Sequence, residues 1–235
     1  MTLADVDAVE DLELEEQPRT LIEATYRQLR RDVIEGRLQA GEKLRVEHLK
    51  STYDVSAGTL REALALLISD ALVVSQGQRG FRVAPMSLAD LEDLTRMRIL
   101  LECEALRESM ALGKDDWEAG IVSAFHKLSL AEQRLRTDPI GTFDDWEACN
   151  RQFHEALVAA CKSGRLLKTR RLLYQQSERY RRLSVVKGPP PEEVHEEHRA
   201  IFESVLARKT EEAIALLTAH THRAPSVIKK GGLLK

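Results

Sequence analysis

Residues 44–84 place two helical repeats before a short alternating segment, and this order constrains the fold more than any other feature of the chain. Between residues 60 and 67, apolar side chains recur at positions i, i+3, i+4 and i+7, the spacing of one helical face. A shorter repeat precedes them, and after Asp70 the pattern becomes that of two β-strands around turn residues 76–80. The segment predicts a helix-turn-helix followed by a hairpin.

The turn between the two helices, DVSAG at residues 54–58, is rich in residues that begin helices. We expect the Ser56 hydroxyl to accept free N–H groups of the helix that follows. A further amphipathic helix is predicted from Thr20 to Gly36. Two crossed helices joined by a short turn are typical of proteins whose second helix enters the major groove of duplex DNA.

Basic and small polar side chains near this turn are the candidate DNA contacts. Arg61 lies near the start of the second helix, where a guanidinium either bonds to guanine or holds a phosphate. Arg79 is expected at the hairpin tip, with a solvated arginine on a purely structural hairpin as the alternative. The predicted DNA-binding residues are Arg45, Ser56, Thr59, Arg61, Arg79 and Gly80.

The length of 235 residues suits two domains, and the charge distribution supports a division. The first 18 residues carry seven acidic and no basic side chains, whereas residues 19–82 carry eleven basic and eight acidic ones. The net charge of −3 is therefore compatible with DNA binding, because residues 19–82 are mildly basic. We predict an acidic disordered tail over 1–18, a winged helix-turn-helix domain over 19–84, an all-helical domain over 87–224 and a flexible tail over 225–235.

Cysteine spacing and hydropathy indicate a cytoplasmic protein. The cysteines at 103, 149 and 161 lack CxxC spacing and lie in helical apolar patterns, as small core residues of a reduced protein do. No stretch approaches the roughly 18 apolar residues of a membrane span, so we expect no membrane partner.

The chain from Ser87 to Ala224 has helical periodicity throughout and predicts a bundle of about six helices. Glycines and prolines interrupt the pattern between the segments. The predicted helices cover 87–112, 115–136, 143–162, 164–185, 191–208 and 210–223.

Three histidines on different predicted helices, His154, His198 and His220, share faces with apolar residues. Asn150 precedes His154 by one helical turn and lies on the same face. A single inward histidine is usually a hydrogen-bonded core residue, but three in one small bundle suit a divalent transition metal. The remaining histidines lie off these stripes and are predicted to be mostly solvated.

The segments GEKLR, DVSAGTLREALALL and RGFRVAPMS together resemble the GntR family of bacterial transcriptional regulators. From about residue 19 to 225 the chain is similar to the FCD branch of the FadR subfamily, nearest to its CsiR-like members. The fold class implied is mainly α, with an N-terminal winged helix-turn-helix and a C-terminal all-α antiparallel helical bundle of the FCD type. The resemblance also implies a homodimer that binds operator DNA.

Two residues depart from the pattern of this family. Ala57 stands where an arginine usually follows the serine of the turn, so recognition should depend more on Arg61. The FCD pattern of Asp-x3-His, His and His maps to Asn150, His154, His198 and His220, with an amide in place of the carboxylate. We expect this set to bind Zn²⁺, with Ni²⁺ or Mn²⁺ as alternatives. The other interpretation is a pocket that is lined by the histidines and holds no metal.

Arg98 interrupts an apolar stripe, and the resemblance implies that it faces an effector. A guanidinium can hold a carboxylate in bidentate fashion, so Arg98 and the metal suit a small organic acid. An i, i+4 pair between Arg98 and Glu102 is the alternative. Arg179, Tyr180 and Arg181 are weaker candidates for the same effector pocket, and a solvated helix face explains them about equally well.

The expected function is that of a ligand-responsive DNA-binding regulator, with repression relieved by a small carboxylic acid as the expected sign. A structural metal that only stiffens the bundle is one alternative. A metal-dependent hydrolase is another, but Glu155, Glu196 and Glu197 do not share a face with the histidines and no general base is evident. We therefore expect no enzyme.

Overall fold

A computed structural model describes residues 18–77, 80–188 and 193–234. The chain divides into two compact units, Met1–Met86 and Ser87–Lys235. The predicted acidic tail lies outside the described residues except for its last position, Pro18.

The N-terminal unit contains three described helices: α1 (Leu21–Ile34), α2 (Val46–Thr52) and α3 (Ala57–Ser69). Thr20 caps α1 by accepting from the Glu23 amide, and Ser56 caps α3 by accepting from the Thr59 amide at 3.1 Å, as its sequence predicts. The apolar stripe of α3 is fully buried, and α3 packs on α1 and α2. The helix-turn-helix prediction is confirmed.

The predicted hairpin is present as strands β2 (Val73–Ser75) and β3 (Phe81–Val83). A third strand, β1 (Lys43–Leu44), pairs antiparallel with β3, so that the strand order is β1-β3-β2. Sequence reasoning missed β1 because its two residues are too few to show an alternating pattern. Gly80 has a φ of +86°, which glycine tolerates, while Arg79 lies outside the described residues.

The described part of the C-terminal unit is all helical. Eight helices follow one another: α4 (Leu88–Leu112), α5 (Asp115–Thr137), α6 (Phe143–Leu157), α7 (Gly164–Gln176), α8 (Glu178–Lys187), α9 (Val194–Leu206), α10 (Thr210–Thr221) and α11 (Arg223–Lys230). The mainly helical fold class is confirmed, but the predicted number of about six helices is too low.

Two differences account for the additional helices. The segment predicted as one helix over 164–185 is divided at Ser177, whose hydroxyl donates to the Tyr174 carbonyl at 2.7 Å and competes with the helical ladder. The segment predicted as a tail over 225–235 contains most of α11, because Ile228 is fully buried and anchors the helix. α11 packs against α8 and α4.

One apolar core joins helices α4 to α10, and α5 and α6 form its most extensive pair. Phe143 and Phe153 of α6 are fully buried in that core. This packing fixes the face of α6 that also carries Asn150 and His154. Within the described residues, no helix is both long and apolar enough to cross a membrane.

Candidate metal centre

His154 of α6, His198 of α9 and His220 of α10 converge in the interior of the helical unit, as the sequence predicts. The ring centroids lie 5.6 Å apart for His154 and His198, 5.2 Å for His154 and His220, and 4.4 Å for His198 and His220. One nitrogen of each ring lies within 4.8 Å of the other two. Imidazoles in this arrangement offer three ligands to a divalent transition metal.

Carboxylates on neighbouring helices orient two of the three rings. Glu132 of α5 lies 2.6 Å from Nδ1 of His198, and Glu197 of α9 lies 2.9 Å from Nδ1 of His220. A carboxylate that binds one ring nitrogen leaves the other available to a metal and fixes the tautomer. The Nε2 atoms of His198 and His220 are therefore the expected ligand atoms.

The electrostatics of the site favour the neutral imidazole, the form that binds metals, at His154 and His220. Burial, together with the neighbouring His220 and His198, holds the pKa of His154 well below its usual range. Burial and His198 also lower the pKa of His220 to about 4, against the opposing effect of Glu197. Burial opposes the ionisation of Glu132, but hydrogen bonds from His198 and His195 hold its pKa below the ordinary value.

The donor atoms in this interior fit a metal ion. His154 Nδ1, His198 Nε2 and Asn150 Oδ1 are buried, and none has a hydrogen-bond partner among the described residues. Asn150 Nδ2 donates to the Tyr174 hydroxyl at 2.7 Å, which directs the amide oxygen away from Tyr174. Unsatisfied lone pairs are costly in a protein interior, and a bound cation would satisfy them together.

A cavity of about 60 Å³ adjoins the histidines. On this measure a water molecule needs about 10–15 Å³, so the space suits a few waters or one small organic molecule. The cavity is lined by both polar and apolar side chains. The lining residues are Arg98, Trp146, Asn150, His154, Tyr174, Arg181, Ser184, Val185, Val194, His220, Thr221, Arg223, Ala224 and Val227.

Arg98 lines this cavity and also forms the helical pair with Glu102, so both sequence interpretations describe its position. Its Nη2 lies 2.9 Å from Glu102, and Arg170 donates to the other oxygen of that carboxylate at 3.0 Å. Although burial raises the pKa of Glu102, the two guanidiniums hold it below the ordinary value. Arg98 retains donor capacity for a ligand, because its buried Nε has no partner among the described residues.

Arg181, rather than Arg179 or Tyr180, lines the cavity. The Arg181 guanidinium lies 4.0 Å from the centroid of the Tyr174 ring, and its Nε donates to Glu147 at 3.0 Å. Tyr180 turns away and donates to Asp90 at 2.5 Å. Position 181 is therefore the better candidate in this segment, because the break at Ser177 sets the rotation of α8.

Sequence reasoning missed the carboxylates that hold the histidines. Glu132 is buried on α5, and it also binds His195, which was predicted to be solvated but lies 2.7 Å from this carboxylate. Sequence reasoning excludes Glu197 as a general base because it does not share the face of His198. In the structure its carboxylate instead contacts His220 on the next helix. A buried glutamate in an apolar stripe, as at position 132, is the one signal that could have indicated a partner.

Four of the six predicted DNA-binding residues lie in or next to the helix-turn-helix. Arg45 precedes α2 and Arg61 lies in the first turns of α3, and both are exposed. Ser56 and Thr59 lie together at the N-terminus of α3, 2.9 Å apart through their hydroxyls. Ser56 is exposed and Thr59 is half-buried, so the Ser56 hydroxyl is the more accessible of the two to a phosphate or a base edge.

Comparisons with known families agree with these two units. Residues 21–83 match the model for bacterial regulatory proteins of the gntR family, and residues 93–223 match the FCD domain. The HTH-type transcriptional regulator BphR of Paraburkholderia xenovorans is 51% identical over 92% of this chain and 89% of its own length. The HTH-type transcriptional repressor GlaR of Escherichia coli is 37% identical over 83% of this chain and 90% of its own length.

Solved structures show the same fold. The transcriptional regulator GntR from Rhodococcus sp. RHA1 aligns with a TM-score of 0.67 and 24% identity, covering 89% of this chain and 97% of the other. McbR/YncC of E. coli aligns with a TM-score of 0.70 and 19% identity, covering 90% and 98%. The families and relatives are transcriptional regulators and not enzymes.

Proposed function

The chain belongs to the GntR family of bacterial transcriptional regulators and carries an FCD domain, and from this we propose that it is a metal-dependent regulator controlled by a small carboxylic acid. The metal is Zn²⁺, with Ni²⁺ or Mn²⁺ as alternatives, held by His154, His198, His220 and Asn150. When bound, the metal supplies positive charge that attracts the acid.

One observation carries this proposal: three imidazoles with their nitrogens within 4.8 Å of one another lie beside a cavity lined by Arg98 and Arg181. Asn150 is neutral, so none of the four ligands reduces the charge of the metal. The carboxylates of Glu132 and Glu197, which contact the histidines, offset part of it. A guanidinium and a metal ion both favour carboxylate oxygens. The small volume of the cavity selects a compact acid.

DNA recognition is assigned to the exposed side chains around α3. In this assignment Arg61 contacts base edges or phosphates, and the helix N-terminus with Ser56 and Thr59 binds the backbone. Arg45, which precedes α2, and Gly80, which precedes β3, are assigned to the same surface. Arg79 lies outside the described residues and stays a predicted DNA contact. A homodimer would read two half-sites of a pseudo-palindrome, since symmetric readers of this type bind symmetric operators.

Acid binding and operator binding are thermodynamically coupled, and we expect repression that the acid relieves. If the acid weakens operator binding by a given factor, operator DNA weakens acid binding by the same factor. GlaR, one of the relatives, is named a repressor, which supports repression rather than activation.

The test begins with the operator, obtained by sequencing DNA fragments that the purified, tag-free protein selects from a random pool. Metal-loaded and metal-depleted protein are then titrated with that operator while simple carboxylic acids are added. Release of DNA by one acid, only in the metal-loaded protein, supports the proposal. Operator binding that neither metal nor any acid changes contradicts it.

A structural metal is the second candidate, favoured by the burial of His154 and His198. In that case metal removal destabilises the helical unit, but no acid changes the metal's environment or operator binding. The acid titration of the metal-loaded protein separates these two functions.

A further inference from the structure

Tyr174 lies in the wall of the cavity, where its hydroxyl oxygen accepts a hydrogen bond of 2.7 Å from Asn150 Nδ2. Tyr174 is 3% exposed and Asn150 is 2% exposed, so water cannot freely exchange for either partner. Each hydrogen-bonding group at this position must therefore be satisfied by the protein, by an ordered water or by a ligand.

The orientation of the Asn150 amide matters to a cation. With Nδ2 directed at Tyr174, Oδ1 is left buried without a hydrogen-bond partner among the described residues. The reversed amide would present N–H groups, which have no lone pair and repel a cation. A metal in the histidine cluster therefore favours the orientation in which Tyr174 acts as the acceptor.

The hydrogen of the Tyr174 hydroxyl is then not used by Asn150. A phenol has one hydrogen to donate, and no residue that the structure describes accepts it. A carboxylate at position 150 would only accept and would take this hydrogen for itself. The amide thus leaves one buried donor in the wall of the cavity.

The Tyr174 ring is held beside the two cations that face the same space. The Arg181 guanidinium lies 4.0 Å from the ring centroid and that of Arg98 lies 5.0 Å from it. Contacts of this kind stabilise a guanidinium over an aromatic face. They place the hydroxyl donor close to the groups that would attract an anion.

We propose that the Tyr174 hydroxyl donates a hydrogen bond to a carboxylate oxygen of the effector, and that Asn150 keeps this donor available. The inference rests on the proposed function, since it requires a metal and an anionic ligand in the cavity. Residues 150 and 174 must then be coupled in their effect on acid affinity.

Cobalt-loaded, tag-free protein provides the test, because the visible absorption of Co²⁺ reports on its ligands. Acetate and propionate serve as the probe acids, because both are compact and neither competes strongly for the metal. Tyr174→Phe should weaken acid binding by about tenfold or more, as expected for a hydrogen bond to a charged group. Asn150→Asp should also weaken it, and Tyr174→Phe should cost little further in the Asn150→Asp background.

Tyr180→Phe is the matched control, since it removes a buried hydroxyl of the same unit that donates to Asp90 outside the cavity. It should leave acid affinity unchanged. Wild-type affinity in Tyr174→Phe, or full additivity of the two substitutions, overturns the inference. If Tyr174→Phe does not fold, unchanged acid affinity in Asn150→Asp overturns it instead. Wild-type protein that takes up no cobalt, or whose spectrum neither acid changes, contradicts the proposed function itself.

Discussion

The Glu132 carboxylate lies 2.6 Å from Nδ1 of His198, although the two residues are 66 positions apart in the chain. Both are buried, so solvent does not weaken the contact. The pair joins α5 to α9 and directs Nε2 of His198 toward the other two imidazoles. A carboxylate in this position determines how well a histidine serves as a metal ligand.

Replacement of Glu132 should therefore weaken metal binding without removing a ligand. We expect Glu132→Gln to lower the affinity for Zn²⁺ by about 10- to 100-fold, the usual effect of losing such a partner. Competition with a chelator of known affinity measures the change. Glu196→Gln is the control, because Glu196 is exposed and its ion pair is with Arg199 on the same helix; equal losses in both variants would contradict the role of Glu132.

Removal of the metal should destabilise the helical unit. A ligand at 100 times its dissociation constant stabilises the folded state by about 2.7 kcal/mol, and each kcal/mol shifts the melting temperature of a domain of this size by about 2–4 °C. Calorimetry with and without a chelator measures the shift. His198→Ala protein should be insensitive to the chelator, whereas a wild-type melting temperature that the chelator does not change would argue against a bound metal.

Arg98→Met should abolish the response to acid while leaving the fold intact. Glu102 keeps its hydrogen bond from Arg170 at 3.0 Å, so the substitution does not strand a buried carboxylate. Arg107→Met, at an exposed position of the same helix, serves as control. The measurement is release of operator DNA by the acid; a normal response in Arg98→Met would remove Arg98 from the effector site.

Arg61→Ala should lower the affinity for the operator more than the affinity for unrelated DNA. A bidentate contact to guanine contributes about 1–3 kcal/mol of discrimination, and Ala57 provides no second guanidinium at the helix start. Binding to both DNAs at a fixed salt concentration distinguishes base reading from a phosphate contact. Arg96→Ala, an exposed arginine of the helical unit, should behave as wild type. An equal loss on both DNAs would assign Arg61 to the backbone.

Much of the fold was predictable because its periodicities are strong. The buried stripe of α3 and the cap at Ser56 follow from local sequence, whereas β1 depends on a pairing partner, Arg82 and Phe81, that lies about forty residues away. The sequence does not predict helix α11, because a single buried apolar residue, Ile228, anchors it. One residue cannot show the repeating apolar pattern by which a helix is recognised.

The histidines of the site were predictable for a similar reason. His154, His198 and His220 each continue an apolar face, so their direction follows from helical geometry. The carboxylates could not be found in this way, because Glu132 and Glu197 act across helices and depend on the packing of α5, α9 and α10. The sequence could not decide which of Arg179, Tyr180 and Arg181 faces the cavity, because the rotation of α8 depends on the break at Ser177.

Metal content tests the central claim most directly. Tag-free wild-type protein and His198→Ala protein, purified side by side, are analysed by elemental mass spectrometry after extensive dialysis. We predict about one divalent transition metal ion per wild-type chain, as for a site with three histidine ligands, and a loss of most of it in His198→Ala. Wild-type protein that holds no metal, even after incubation with Zn²⁺, Ni²⁺ or Mn²⁺, would contradict the claim.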